Sequence, residues 1–138
     1  MKQGGQIILF RFPQTDLEEG KLRPALLLGQ LPGDYNDWLI CMISSQTRYY
    51  IPQFDEIIQE NDGDFAQSGL KAASVIRVGR LAVVEGRVLL GATGHISPER
   101  LQRICVHLSC CLYVTMTYGT AAAFFARNGL TCPAAELI

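Results

Sequence analysis

SVIRVGRLAVV, residues 74–84, sets Val75, Arg77 and Gly79 against Ile76, Val78 and Arg80, the two-residue alternation of a β-strand and not the period of a helix. Upstream, QIILFRF (6–12), PALLL (24–28) and WLICMIS (38–44) are short apolar runs of strand-forming composition. Turn formers bound each of them. Gly4-Gly5 and Pro13 flank the first, the polar stretch 14–22 with Gly20 precedes the second, and LPGDYND (31–37) leads into the third. QFDEIIQ (53–59) reads as a further strand, and 60–69, with Asn61, Asp62, Gly63 and Asp64, as a polar connection. Downstream, Glu85-Gly86 predicts a hairpin-like turn into VLLGATGHI (88–96). Ser97-Pro98-Glu99 then opens a helix with an N-cap serine and a first-turn proline, after which Leu101, Ile104, Cys105, Leu108, Cys111 and Leu112 share one face. Roughly five to seven short strands and a final helix predict a mainly β fold, a small barrel with a helix against one side.

The 138 residues, 49% of them hydrophobic, suffice for one domain with a real core. Residues 1–110 read as the barrel with its helix, and 111–138 as an apolar C-terminal extension of the same domain. Twelve basic residues against thirteen acidic ones give a formal charge of −1, so contact with nucleic acid has to be made by a local patch. Five cysteines without CxxC spacing, and no cleavable secretion signal, point to a reduced cytoplasm. His95 and His107 have no ligand-type residue three or four positions on, so neither a metal site nor a cofactor is expected. The segment 104–126 is uncharged and long enough to span a bilayer. Its polar residues and the helix signals before it favour a helix packed on the barrel with an apolar tail, and no membrane partner is expected.

Fold class alone does not fix function. More telling is an ordered set of local features: Phe12-Pro13-x-Thr15-Asp16-Leu17, Gly20-Lys21-Leu22-Arg23-Pro24-Ala25-Leu26-Leu27-Leu28, Met42-Ile43-Ser44-Ser45-Gln46 and Gly69-Leu70-Lys71-x-x-Ser74-Val75-Ile76-Arg77. In this order and with these loop lengths, about residues 4 to 108 resemble the MazF/PemK family of type II toxin–antitoxin endoribonucleases. The resemblance implies an SH3-like small β-barrel of the MazF/PemK/CcdB kind, a homodimer, and metal-independent, sequence-selective cleavage of single-stranded mRNA. It also implies a cognate antitoxin protein, with DNA reached only indirectly through that antitoxin. The tail beyond about Cys110 does not resemble the usual family ending.

Arg23 lies at the arginine of the family's arginine–proline motif, and Ser44 where the family usually has threonine. The resemblance assigns both to catalysis. The chemistry suits them. Cleavage by the RNA's own 2′-OH needs charge on the phosphate oxygens stabilised, which a permanently charged planar guanidinium can do, and a hydroxyl can direct a hydrogen bond to the same phosphate. Candidate RNA-binding residues are Thr15, Asp16, Lys21, Ser45, Gln46, Arg48 and Tyr49, since cations meet phosphates and aromatic rings stack on bases. Tyr49 and Tyr50, read as strand neighbours, would point to opposite faces. Arg77 and Ser74 match a motif in a barrel strand, and Arg77 reads as structural or interfacial. His95, although suited to proton transfer, matches no catalytic position of the family. Two other functions remain open: a member that keeps the fold without cleavage, and a non-enzymatic toxin that binds DNA gyrase.

Overall fold

The computed structural model describes residues 2–11 and 21–117, with the side chains of the last helix described as far as Leu112. Six strands form one antiparallel sheet: β1 (Gln6–Arg11), β2 (Leu22–Gln30), β3 (Asp37–Ser44), β4 (Glu56–Ile58), β5 (Ser74–Glu85) and β6 (Ala92–His95). Their order is β4-β5-β3-β2-β1-β6. Helix α1 (Phe65–Ser68) joins β4 to β5, and α2 (Pro98–Thr117) follows β6. The sheet is curled into a half-barrel, the SH3-like form expected of the sequence, with α2 against one face. The expected polar connection 60–69 contains the short α1.

The sheet buries both faces, and this explains why its strands read as unbroken apolar runs. Ile7, Leu26, Cys41, Ile43, Ile76 and Val78 meet Ile104 and Leu108 of α2 on one face. Their sequence neighbours Ile8, Ala25, Leu27 and Ile40 pack with Trp38 and Leu89 on the other. Register shifts supply the curl. The largest lies in the β3–β5 pairing, where Cys41 faces Leu81 but Met42 faces Arg77, so that 78–80 bulge out of the ladder.

Helix α2 starts as its sequence predicts. Ser97 Oγ accepts the Arg100 N–H at 3.2 Å, and Ser97 O accepts that of Leu101 at 3.1 Å. Its buried side carries Ile104, Leu108 and Cys110, whereas Leu112 and Cys105 are exposed. The arginine of its first turn is a hub. Arg100 Nε and Nη2 bond Asp64 at 2.8 and 3.0 Å, Nη2 also bonds Asp62 at 3.0 Å, and Nη1 bonds Ile57 O at 2.8 Å and Glu56 at 3.4 Å. This network ties α2 to β4 and α1.

Two readings are corrected. Residues 86–96 do not form the return strand of a hairpin: Gly86–Val88 make a 3-10 turn, and β6 pairs with β1 at the far end of the sheet. Gly86 N–H bonds Asn36 O at 2.7 Å and Leu89 is buried in the second cluster, which turns the chain away from β5. The strand expected over 53–59 shrinks to Glu56–Ile58. Gln53 has a positive φ of 63°, and the Asp55 carboxylate accepts the N–H groups of Ile51 and Val78 at 3.0 Å each, displacing ladder pairing.

Candidate active site

Where the starts of β2 and β5, the end of β3 and the loop after α1 meet, a groove of about 520 Å³ opens. Arg23, Ser44, Ser45, Lys71, Ser74 and Thr93 give it polar edges, over an apolar floor that includes Leu9, Pro24, Ile43 and Leu70. The shape depends on two glycines. Gly69, at φ +71°, ends α1 in a left-handed conformation against Thr93 O, and Gly94 lies against the backbone of Gln67 and Ser68, where a Cβ would collide. α1 and β6 therefore touch, with Thr93 on the groove wall between them.

Ser44 ends β3 paired with Val75 and is only 4% exposed. Its Oγ accepts the Gln46 N–H at 3.1 Å, which fixes the hydroxyl oxygen and leaves its hydrogen for an acceptor in the groove. Arg23 is exposed on β2, paired with Phe10 of β1. Ser74 Oγ is committed to Ala72 O at 2.9 Å, and Thr93 Oγ1 donates to Ile7 O at 3.3 Å.

The sequence-predicted residues thus divide. Arg23, Ser44 and Ser45 share the groove. Gln46 caps a 3-10 turn, Thr47–Tyr49, that carries Arg48 and Tyr49 just beyond it, and Lys21 is exposed immediately before β2. Thr15 and Asp16 lie outside the described residues. Tyr49 and Tyr50 are not strand neighbours on opposite faces, because they sit in and after that turn and both are exposed. His95 does not line the groove. Lys71 and Thr93 were given no role from sequence. Lys71 lies inside the Gly69–Ser74 motif, which was the one available signal, while Thr93 reaches the groove only through the β6–β1 pairing.

Arg77, read from sequence as structural or interfacial, lies against an aromatic ring. Its guanidinium carbon lies 4.6 Å from the centroid of the Tyr49 ring, and that of Arg48 lies 5.0 Å from the same centroid. Arg48 Nη2 donates to the phenol oxygen at 3.1 Å. That hydrogen bond and the charge of Arg48, with Arg77 and Arg23 adding to them, hold the phenol below its ordinary pKa.

Charge is segregated. Arg87, Arg100 and Arg103 pair with Glu85, Glu56, Asp62 and Asp64. Among the described residues, Arg23, Arg48, Lys71 and Arg77 have no carboxylate within 4.0 Å. A chain of net charge −1 thereby presents a local basic surface around one groove. No group of three metal-ligating side chains stands together among the described residues, and no helix among them is long and apolar enough to cross a membrane.

The groove belongs to a recognisable fold. A MazE–MazF crystal structure from Deinococcus radiodurans superposes with a TM-score of 0.59 at 19% identity, over 80% of this chain and 95% of that one. An endoribonuclease in complex with its cognate antitoxin, from a mycobacterial species, gives 0.56 at 14% identity, over 83% and 97%. No curated protein sequence matches the chain. The profile of the PemK-like, MazF-like toxins of type II toxin–antitoxin systems matches residues 3–111, and so takes in every strand, the groove and the first turns of α2. The chain belongs to that toxin family.

Proposed function

We propose that this toxin is an endoribonuclease that cleaves single-stranded mRNA at selected sequences, without a metal, in the groove between Arg23 and Ser44. The observation that carries the reading is that these two side chains, from separate strands, line one groove of about 520 Å³ with Lys71 beside them. The 2′-oxygen of the substrate gives up its proton to water and attacks the adjacent phosphorus, the P–O5′ bond breaks, the leaving 5′-oxygen takes a proton from water, and the products end in a 2′,3′-cyclic phosphate and a 5′-hydroxyl. Arg23 stabilises the charge that grows on the phosphate oxygens, with a fork of donors that stays protonated at any physiological pH. Ser44, its oxygen fixed by Gln46 N–H, gives its hydrogen to the same phosphate. Lys71 adds charge in the same groove. Lys21, Ser45, Gln46, Thr15 and Asp16 are assigned to the flanking nucleotides.

The toxin acts in the cytoplasm as a homodimer, and a cognate antitoxin restrains it by covering the basic groove with an acidic segment. DNA is reached only through that antitoxin. The test is single-turnover cleavage of a mixed-sequence single-stranded RNA with EDTA present, followed by analysis of the new ends. Cyclic phosphate and 5′-hydroxyl ends at an undiminished rate support the mechanism. Loss of cleavage with EDTA refutes its metal independence. No cleavage by the folded wild type refutes the enzymatic reading and leaves gyrase binding or a non-cleaving toxin.

A further inference from the structure

Beside the groove, two arginines converge on one tyrosine, and among the described residues neither has a carboxylate within 4.0 Å. Arg48 and Arg77 come from different elements, the 3-10 turn after β3 and the strand β5, yet their guanidinium carbons lie 5.0 and 4.6 Å from the centre of the Tyr49 ring. The two charges are therefore no more than about 10 Å apart. Asp55, whose oxygens accept the N–H groups of Ile51 and Val78, acts on Arg77 from beyond ion-pair distance. Bringing like charges together costs free energy, which the electron-rich ring face and the phenol oxygen offset in part. An anion placed between the guanidinium forks offsets the remainder.

The arrangement is built into the fold. The bulge at 78–80 makes Arg77 the last residue of β5 to pair with the end of β3 before the ladder breaks, and Asp55 holds Val78 N–H on the far side of the break. Arg48 N-terminal to Tyr49 then bonds its phenol oxygen from the turn. Ser45 and Ser74 line the groove, Arg48 and Tyr49 follow Ser45 in the next turn and Arg77 follows Ser74 along β5, so this cluster and the groove are neighbours.

We propose that Arg48, Tyr49 and Arg77 form a second phosphate subsite, which takes a phosphodiester flanking the scissile one in single-stranded RNA. The proposal rests on the ribonuclease reading above and adds Arg77 as a binding residue. Two charged forks of donors recognise the phosphate backbone, so the subsite strengthens binding regardless of base and leaves the chemical step to Arg23.

The test is the affinity of a fluorescent 2′-O-methyl RNA hexamer, which lacks the attacking hydroxyl, measured between about 50 and 200 mM salt for wild type, Arg48→Gln, Arg77→Gln and the double variant. One lost phosphate contact lowers the slope of log K against log salt by about 0.7 for a single strand. The double variant is expected to lose that amount with every hexamer sequence. Arg48 is exposed in a turn, so Arg48→Gln carries the test if changes at Arg77 prevent folding. An unchanged slope overturns the proposal. So does a loss that depends on base identity. A wild type that binds the hexamer with the steep slope but cleaves no RNA leaves the subsite standing and refutes only the ribonuclease reading.

Discussion

Replacing Arg100 with methionine keeps most of its aliphatic stem, removes its five donors, and strands the carboxylates around it. The Arg100 side chain is 8% exposed and that of its closest partner, Asp64, 6%. Burial by itself raises the pKa of the Asp64 carboxyl, but the Arg100 hydrogen bonds, the Ser97 N–H and the arginine's charge outweigh it and hold the group at about 2, against an ordinary 3.8. That difference is worth about 2 kcal/mol at neutral pH. Removing one partner of a buried pair leaves an uncompensated charge and costs about 3–5 kcal/mol. We therefore expect Arg100→Met to lose about 3 kcal/mol, a fall in Tm of roughly 10 °C for a domain of this size. Urea titration followed by the fluorescence of Trp38, the single tryptophan and a buried one, measures it. The pH dependence has a definite sign. A carboxyl whose pKa is depressed in the folded state contributes its stability above the unfolded value and loses it as pH falls toward the folded one. Wild-type stability should drop between about pH 4 and pH 2, and Arg100→Met should lack most of that drop. A loss below about 1 kcal/mol, or an unchanged acid limb, would refute the reasoning.

Gly94→Ala places a methyl group against Gln67 and Ser68, so it should separate α1 from β6, deform the groove and lower both Tm and RNA cleavage; a variant with wild-type values of both contradicts the close approach. Asp55→Asn replaces one of two acceptor oxygens with an NH₂ group facing a backbone N–H, and should cost about 1–3 kcal/mol by urea titration, together with faster hydrogen exchange at Ile51 or Val78. An unaffected stability would show that the carboxylate does not hold the 45–55 loop. Sedimentation at micromolar concentration should give twice the 15.2 kDa chain mass, and a clean monomer would remove the homodimer proposal.

The strands legible in the sequence were those whose apolar runs fill both faces of the sheet. Continuous burial of Leu26 and Leu27, or of Ile7 and Ile8, leaves no polar alternation to confuse the reading. Errors arose where side chains and tertiary contacts displace a ladder. Asp55 delays the start of β4 by capturing two N–H groups, and Gly86 and Leu89 lead the chain away from β5 to pair β6 with β1. The same distinction holds in the groove. Arg23, Ser44 and Ser45 belong to contiguous motifs and could be selected from sequence, whereas Thr93 depends on the pairing of β6 with β1 and bonds Ile7, 86 residues earlier. The Arg77–Tyr49 contact depends on a bulge that no local pattern announces.

The groove's chemistry is tested most directly by single-turnover cleavage at saturating RNA with Arg23→Ala, Arg23→Lys, Ser44→Ala and Ser44→Thr. Loss of one donor to a transition-state oxyanion typically costs about 10²–10³ in rate, so Arg23→Ala should fall by that factor while its RNA affinity changes far less. Arg23→Lys should recover little, because the charge returns without the fork. Ser44→Ala should fall less, and Ser44→Thr should retain or raise activity by narrowing the choice of χ1. Cleavage by Arg23→Ala at the wild-type rate would contradict the account.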